Sequence, residues 1–295
     1  MNEKPLVTIN ILSFNRKDEL HNTITKVFEQ DYKNIEVIVV DNASSDGSPE
    51  MVEKEFPKVQ LIRLEKNIGV AGWNEGFNVA KGEYVLVLDD DAYPGKESLN
   101  LAVQKIKSNN KIGCIAFNVI NTNPQNFNFR SNWLPAQSIK ESEWPIFVGC
   151  AVLFKKSIEV KMPEDYFLYQ HELPVSADIY IRNHKIIYDK GILAYHNFKN
   201  DKNYHIYNDT LCFKNNLMFI NKYLPFYLTI PYTLQLIIFY LSRSIRKGWF
   251  NKYLRIIFQI PYRPSGRSMI PYSYFKQLRK LHIFNLSIIS KLVKI

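Results

Sequence analysis

Cysteine is scarce. Cys114, Cys150 and Cys212 are the only three in 295 residues, each inside an apolar run and none at the spacing of a metal or redox pair. That argues against a disulfide framework and reads as core thiols in a reducing compartment. Met1 to Pro5 lacks the apolar stretch of a secretory leader and runs directly into a strand pattern, so residence in the cytoplasm is expected. Internal repeats, low-complexity tracts and coiled-coil heptads are missing as well, which sets aside repeat arrays and supercoiled helices. Acid is nearly missing from the last third, where Lys222, Arg243, Arg246, Lys247, Lys252 and Arg255 stand almost unopposed. That region suits an anionic surface.

What is present describes a folded chain. Hydrophobic residues make up 46% and charged residues 22%, with 18 Tyr and 19 Phe, enough apolar surface to exclude disorder. The length predicts one α/β domain with a smaller appendage: residues 1–203 as the main unit, divided near 118/119, and 204–295 as a helical, aromatic and basic region. The formal charge of +10 would draw nucleic acid, anionic lipid or phosphorylated substrate alike, so it does not choose among them.

Residues 6–14 are nearly continuous apolar and β-branched, the pattern of a strand buried on both faces, and 17–30 follow with helical spacing. The alternation recurs, with strands over 35–40, 60–64, 84–88 and 112–117 and helices over 48–55, 73–80 and 97–108. It predicts a Rossmann-like, doubly wound, mostly parallel sheet. Residues 121–145 break into Asn, Pro and aromatic residues and are expected to be irregular.

In open α/β sheets ligands sit beyond the carboxyl ends of the strands. Here those ends are polar: Ser13-Phe14-Asn15-Arg16, then Asp41 to Gly47, Asn67-Ile68-Gly69, and Asp89-Asp90-Asp91. Three adjacent carboxylates repel one another unless a cation or solvent offsets them, and hard oxygen ligands suit Mg²⁺ or Mn²⁺ bridging to substrate phosphates. A solvated acidic turn is the plain alternative. Asp41 can accept a uracil or thymine N–H, or instead form an Asx turn before the next helix; Asp46 is assigned to the latter task. The glycines of Asn67 to Gly76 permit close backbone approach to a diphosphate, which makes Asn67, Gly72 and Asn74 candidates for the donor site.

In this order the motifs resemble the family 2 inverting glycosyltransferases of GT-A fold, particularly the rhamnosyltransferase-like branch that builds bacterial surface polysaccharides. The likeness covers roughly residues 5–200. Phe14-Asn15-Arg16 and Asp41 to Gly47 are intact, whereas Asn67, Gly69, Gly72, Asn74 and Gly76 have one residue fewer between glycines than the family pattern. Gly149-Cys150-Ala151, the run Phe167 to Glu172, and Tyr195-His196 fill the later motif positions. The resemblance implies a nucleotide-sugar donor held by Ser13, Asn15, Arg16, Asp41, Asn67, Gly72, Asn74, Asp89 and Asp90, with Asp90 against the sugar. It implies a divalent cation at Asp89, Asp91 and His196, and Glu172 as the base that takes the acceptor's proton. Glu172 also reads as an ordinary first-turn helix acid. His171 is left out because helix neighbours usually point apart. The family's second carboxylate is missing, since Glu172-Leu173-Pro174 follows instead.

Residues 223–242 carry no charge and are long enough to span a bilayer, but Pro225, Pro231 and Gln235 favour helices lying on the inner face of the membrane, where glycan or lipid-linked acceptors would be met. Two further readings remain. A nucleotidyltransferase would want glycine in the turn after the first strand, where Ser13 to Lys17 has none. A lapsed nucleotide-sugar or carbohydrate binding protein is motivated by Pro174. Nucleic acid is not an expected partner, because it leaves Asp89 to Asp91 unexplained.

Overall fold

The computed structural model describes residues 4–123, 134–135, 138–197, 204–259 and 267–280. The chain runs β1 (Val7–Ser13), α1 (Lys17–Phe28), β2 (Ile35–Asp41), α2 (Ser48–Glu55), β3 (Gln60–Arg63), α3 (Trp73–Val79), β4 (Tyr84–Asp89), β5 (Ala92–Pro94), α4 (Ser98–Lys107) and β6 (Ile112–Asn121). It continues with β7 (Glu141–Glu143), β8 (Ala151–Lys155), α5 (Glu172–Ile181) and β9 (Lys185–His196), then α6 (Tyr204–Tyr223), α7 (Phe226–Arg246), α8 (Phe250–Gln259) and α9 (Tyr272–Lys280).

The strands form one sheet in the order β3-β2-β1-β4-β8-β6-β9-β5, with β7 also on β9. The first four are parallel, as the βα alternation predicts. The fold is α/β of GT-A type, but its second half is mixed: β8 runs antiparallel between β4 and β6. An apolar run reports burial on both faces and carries no information about direction, so this reversal was not readable from residues 147–154. Pairing in this strand covers Ala151–Lys155, and Ile146 and Phe147 enter the core ahead of it.

Strand alternation divides the core. Val7, Ile9 and Ile11 of β1 face α1, where Leu20, Ile24 and Val27 recur at helical spacing and are fully buried. Each such side chain removed from water contributes about 1.5–3 kcal/mol. The opposite face of β1 presents Asn10, whose amide donates to the Trp73 carbonyl at 2.9 Å and fixes α3. Gly76 lies so close to Asn10 that a Cβ would overlap its amide.

The described residues after β9 are mostly helical, and they bury Phe219, Tyr223, Tyr274 and Leu278 in one cluster with Tyr180 and Tyr188. Tyr180 stacks on Tyr274 at 4.3 Å. Among the described residues no helix is long and apolar enough to cross a membrane; α7 contains Pro231. Of the irregular stretch expected over 121–145, residues 124–133 and 136–137 lie outside the described residues.

Candidate active site

Asp89 ends β4 and Asp91 opens the turn into β5, while His196 ends β9. The register Ala92↔His196 brings the last strand's imidazole over that turn. One ligand atom from each of Asp89, Asp91 and His196 lies within 4.8 Å of the others. His196 Nε2 is 2.9 Å from Asp91 Oδ1 and 3.9 Å from Asp89 Oδ2. Burial and the like charge of Asp91 push the Asp89 carboxyl up. Burial would raise Asp91 too, but His196 and Arg16 outweigh it and hold that carboxyl down. His196 is raised well above its usual value, because Cys150 and Asp91 outweigh the opposing effect of burial. Two hard carboxylates and an imidazole at this separation fit a divalent cation, whose charge would relieve the Asp89–Asp91 repulsion. The imidazole must release its proton to ligate.

Asp90, expected against the sugar, makes contacts of its own with the turn after β1. Its Oδ2 accepts the Phe14 N–H at 3.2 Å, its Oδ1 is 3.5 Å from Arg16 Nη1, and its carbonyl accepts from Thr23. Burial pushes its carboxyl up to about 7. Asp90 therefore anchors the turn after β1. Arg16 pairs with Asp91 through the same nitrogen. Asn15, at φ +52°, ties this turn to the next: its amide N–H donates to Ser44 Oγ and its Oδ1 accepts the Ser45 N–H. Ser13 is buried with its hydroxyl unpartnered.

Asp41 closes β2 and is 2% exposed. Its Oδ2 accepts the Ser44 N–H at 2.9 Å, and its Oδ1 is buried without a partner. Both readings of Asp41 thus coexist, one oxygen in an Asx turn and one available. Asp46 takes the structural task, accepting from Ser48 and from the Lys17 N–H.

The Asn67 to Gly76 segment is held by hydrogen bonds within the chain. Asn67 Oδ1 turns back onto the Gly69 N–H at 2.9 Å. A Cβ on Gly72 would meet Leu12 Cδ1 at 2.5 Å, so packing also favours glycine there. Asn74 is occupied at both ends of its amide by the Met162 backbone, at 3.0 and 2.8 Å. It is a clamp between α3 and the chain leading to α5. Gly69 has φ +65°, and a Cβ there would lie 1.9 Å from the Phe167 carbonyl oxygen. Gly69→Ala should therefore lower stability by at least about 2 kcal/mol in urea unfolding; an unchanged midpoint would contradict that geometry.

Glu172 opens α5 and is 9% exposed. Its Oε1 accepts the Gly149 N–H at 3.3 Å. Cys150, the next residue, accepts the Asp89 N–H through its carbonyl at 3.2 Å. The Gly149-Cys150 turn thus joins the Glu172 carboxylate to the aspartate and histidine cluster. Gly149 has no room for a Cβ, which would fall 2.7 Å from His171 and 2.9 Å from Glu172.

Three further residues stand beside these groups. His171 Nδ1 sits 3.5 Å from Glu172 Oε2, since the pair straddles the helix start, where the rule that neighbours point apart does not hold. Trp73 lies against the His171 ring at 5.7 Å and donates to the Leu88 carbonyl. Asn42 accepts the Ile68 N–H and donates to the Gly69 carbonyl; its place beside Asp41 in the turn was the available signal.

A family model described as glycosyl transferase family 2 matches residues 8–162. A Bacillus subtilis protein described as putative teichuronic acid biosynthesis glycosyltransferase TuaG is 34% identical over 102 residues, covering 33% of this chain and 40% of the relative. Escherichia coli UDP-Glc:alpha-D-GlcNAc-diphosphoundecaprenol beta-1,3-glucosyltransferase WfaP is 36% identical over 91 residues, or 30% of this chain and 36% of the relative. These matches span less than half the length of either relative. Among solved structures, S. aureus TarS in complex with UDP-GlcNAc superposes with TM-score 0.61 at 16% identity, over 95% of this chain and 88% of that one. Mannosyltransferase PcManGT from Pyrobaculum calidifontis, in complex with GDP-Man and Mn²⁺, gives 0.59 at 20% identity over 86% and 74%. Both share the fold.

Proposed function

This chain belongs to glycosyl transferase family 2, and on that premise we propose that it transfers a sugar, with inversion, from a UDP- or dTDP-sugar to a polysaccharide or lipid-linked glycan acceptor. The observation that carries this reading is the Gly149-Cys150 turn, which holds Glu172 on one side and Asp89 on the other. Glu172 and the Asp89, Asp91 and His196 cluster thus flank one turn, which supports assigning them to a single reaction centre. Glu172 Oε2, left without a hydrogen bond while Oε1 is fixed, takes the acceptor hydroxyl's proton. The acceptor oxygen bonds to the anomeric carbon as the bond to the nucleotide diphosphate breaks on the opposite face. Asp89, Asp91 and His196 would hold Mg²⁺ or Mn²⁺, which supplies positive charge to the departing diphosphate. The buried, unpartnered Asp41 Oδ1 is the acceptor for the base's ring N–H. Asp41→Ala should weaken binding of the preferred nucleoside diphosphate by about tenfold or more, the loss of one charged hydrogen bond. Titration calorimetry checks this, and native affinity in the variant would remove Asp41 from the donor site.

The acceptor side of the reading is a membrane surface. On α7 the exposed residues Tyr227, Ile230, Leu234, Ile238 and Ile245 recur at intervals of three, four or seven, one apolar face turned to solvent. From residue 204 onward Asp209 is the sole acid among fourteen Lys and Arg. An apolar face within so basic a region matches the headgroup boundary of anionic lipid. Replacing Leu234 and Ile238 together by Glu should reduce co-sedimentation with phosphatidylglycerol vesicles at least tenfold, since each buried side chain contributes about 1.5–3 kcal/mol. Equal sedimentation of native and variant chains would sink the membrane assignment.

A further inference from the structure

The matched family segment ends at residue 162, ahead of Glu172, so the chain that delivers Glu172 lies outside it. That delivery is strained. Tyr169 and Gln170 have φ +61° and +60°, two consecutive residues with side chains in the left-handed region that favours glycine. Such a pair persists only where its surroundings over-determine it. The pair stands directly before His171 and Glu172, and the Gln170 carbonyl accepts the Leu173 N–H at 3.2 Å as the helix starts.

The surroundings come from two sides. Phe167 accepts the Val70 N–H through its carbonyl at 2.9 Å, tight against Gly69. On the other side stands α6, from the C-terminal region. Asn215, 1% exposed, donates both hydrogens of its amide, one to the Leu168 carbonyl at 2.9 Å and one to the Tyr169 carbonyl at 2.7 Å. Its own backbone carbonyl accepts from Tyr166 Oη at 2.9 Å. One turn earlier, Cys212 Sγ accepts from Gln170 Nε2 at 3.8 Å.

Two neighbouring carbonyls facing one short side chain call for two N–H donors on one atom. Asn supplies them. Asp has acceptors instead, Ser has one donor and Ala none. We propose that Asn215 is a positioning residue for the transfer reaction: it holds the left-handed Tyr169–Gln170 turn and so sets the direction in which the Glu172 carboxylate meets the acceptor. The C-terminal region is thereby part of the acceptor-side apparatus. This inference rests on Glu172 being the base.

Steady-state kinetics of the full chain with donor, Mn²⁺ and acceptor test it. Asn215→Ala, and the near-isosteric Asn215→Asp, should lower kcat by about 10²-fold, the effect of a misplacement near 1 Å. Donor KM and the thermal shift given by the donor nucleotide should stay within about twofold of native. Gln170→Gly added to Asn215→Ala should return kcat by roughly tenfold, because glycine adopts the left-handed turn without support. Native kcat in both Asn215 variants would overturn the inference, as would parallel loss of donor binding and melting temperature with no recovery from Gln170→Gly. Glu172→Gln, run alongside, separates the two failures: native turnover there removes the base itself, whatever the Asn215 variants do, and the inference falls with it.

Discussion

Glu172→Gln should lower sugar transfer by about three orders of magnitude while leaving donor binding intact, the range expected when a positioned general base is removed. The substitution keeps the side chain's volume and its contact with Gly149, since an amide oxygen can accept the same N–H that Oε1 accepts at 3.3 Å. What it removes is the capacity of the second atom to take a proton. Melting temperature and nucleotide affinity should therefore hardly change, and the loss should fall on kcat. The neighbouring His171 sharpens the measurement, because its Nδ1 lies 3.5 Å from the oxygen assigned to the proton. A variant that turns over at the native rate would return Glu172 to the role of a helix-start acid.

Asp91→Ala should abolish the dependence of donor binding on Mn²⁺ and lower turnover on the order of 10³-fold, the equivalent of several kcal/mol of leaving-group stabilisation. Asp91 is the center of its cluster: His196 lies at 2.9 Å and Arg16 pairs with its other oxygen. Removing it takes one carboxylate from the proposed cation site and leaves Asp89 and His196 alone to hold the metal. Asp90→Ala gives the contrast. That residue holds the Phe14 N–H and the turn after β1, so its loss should show first in stability. Equal loss of metal response in both variants would contradict the division of labour drawn between the two carboxylates.

Much of this arrangement was legible in the residues. The apolar runs of β1, β2 and β4 and the helices between them announce the parallel half of the sheet, and polar residues follow each of these strands at its carboxyl end. His196 lies far from Asp89 and Asp91 in sequence, yet the motif order pointed to all three, and the β5–β9 register brings them together. Direction and burial partners were harder to read. The reversal at β8 leaves no mark in an apolar run. Asn74 and Gly72 sit in a motif suggestive of a diphosphate, but their surroundings, the Met162 backbone and Leu12, come from chain segments 88 and 60 residues away. Asn215 was invisible for the same reason. Nothing in the composition of α6 distinguishes one buried asparagine until the carbonyls of residues 168 and 169 are placed beside it.

The most direct test is release of nucleoside diphosphate from a panel of UDP-, dTDP- and GDP-sugars, with Mn²⁺ or with chelator, by the native chain and by Glu172→Gln in the presence of anionic vesicles and acceptor. The account predicts release from a uracil- or thymine-based donor that requires the metal and disappears in the variant. Donor binding without release under any of these conditions would contradict it and leave a nucleotide-sugar binding protein in its place.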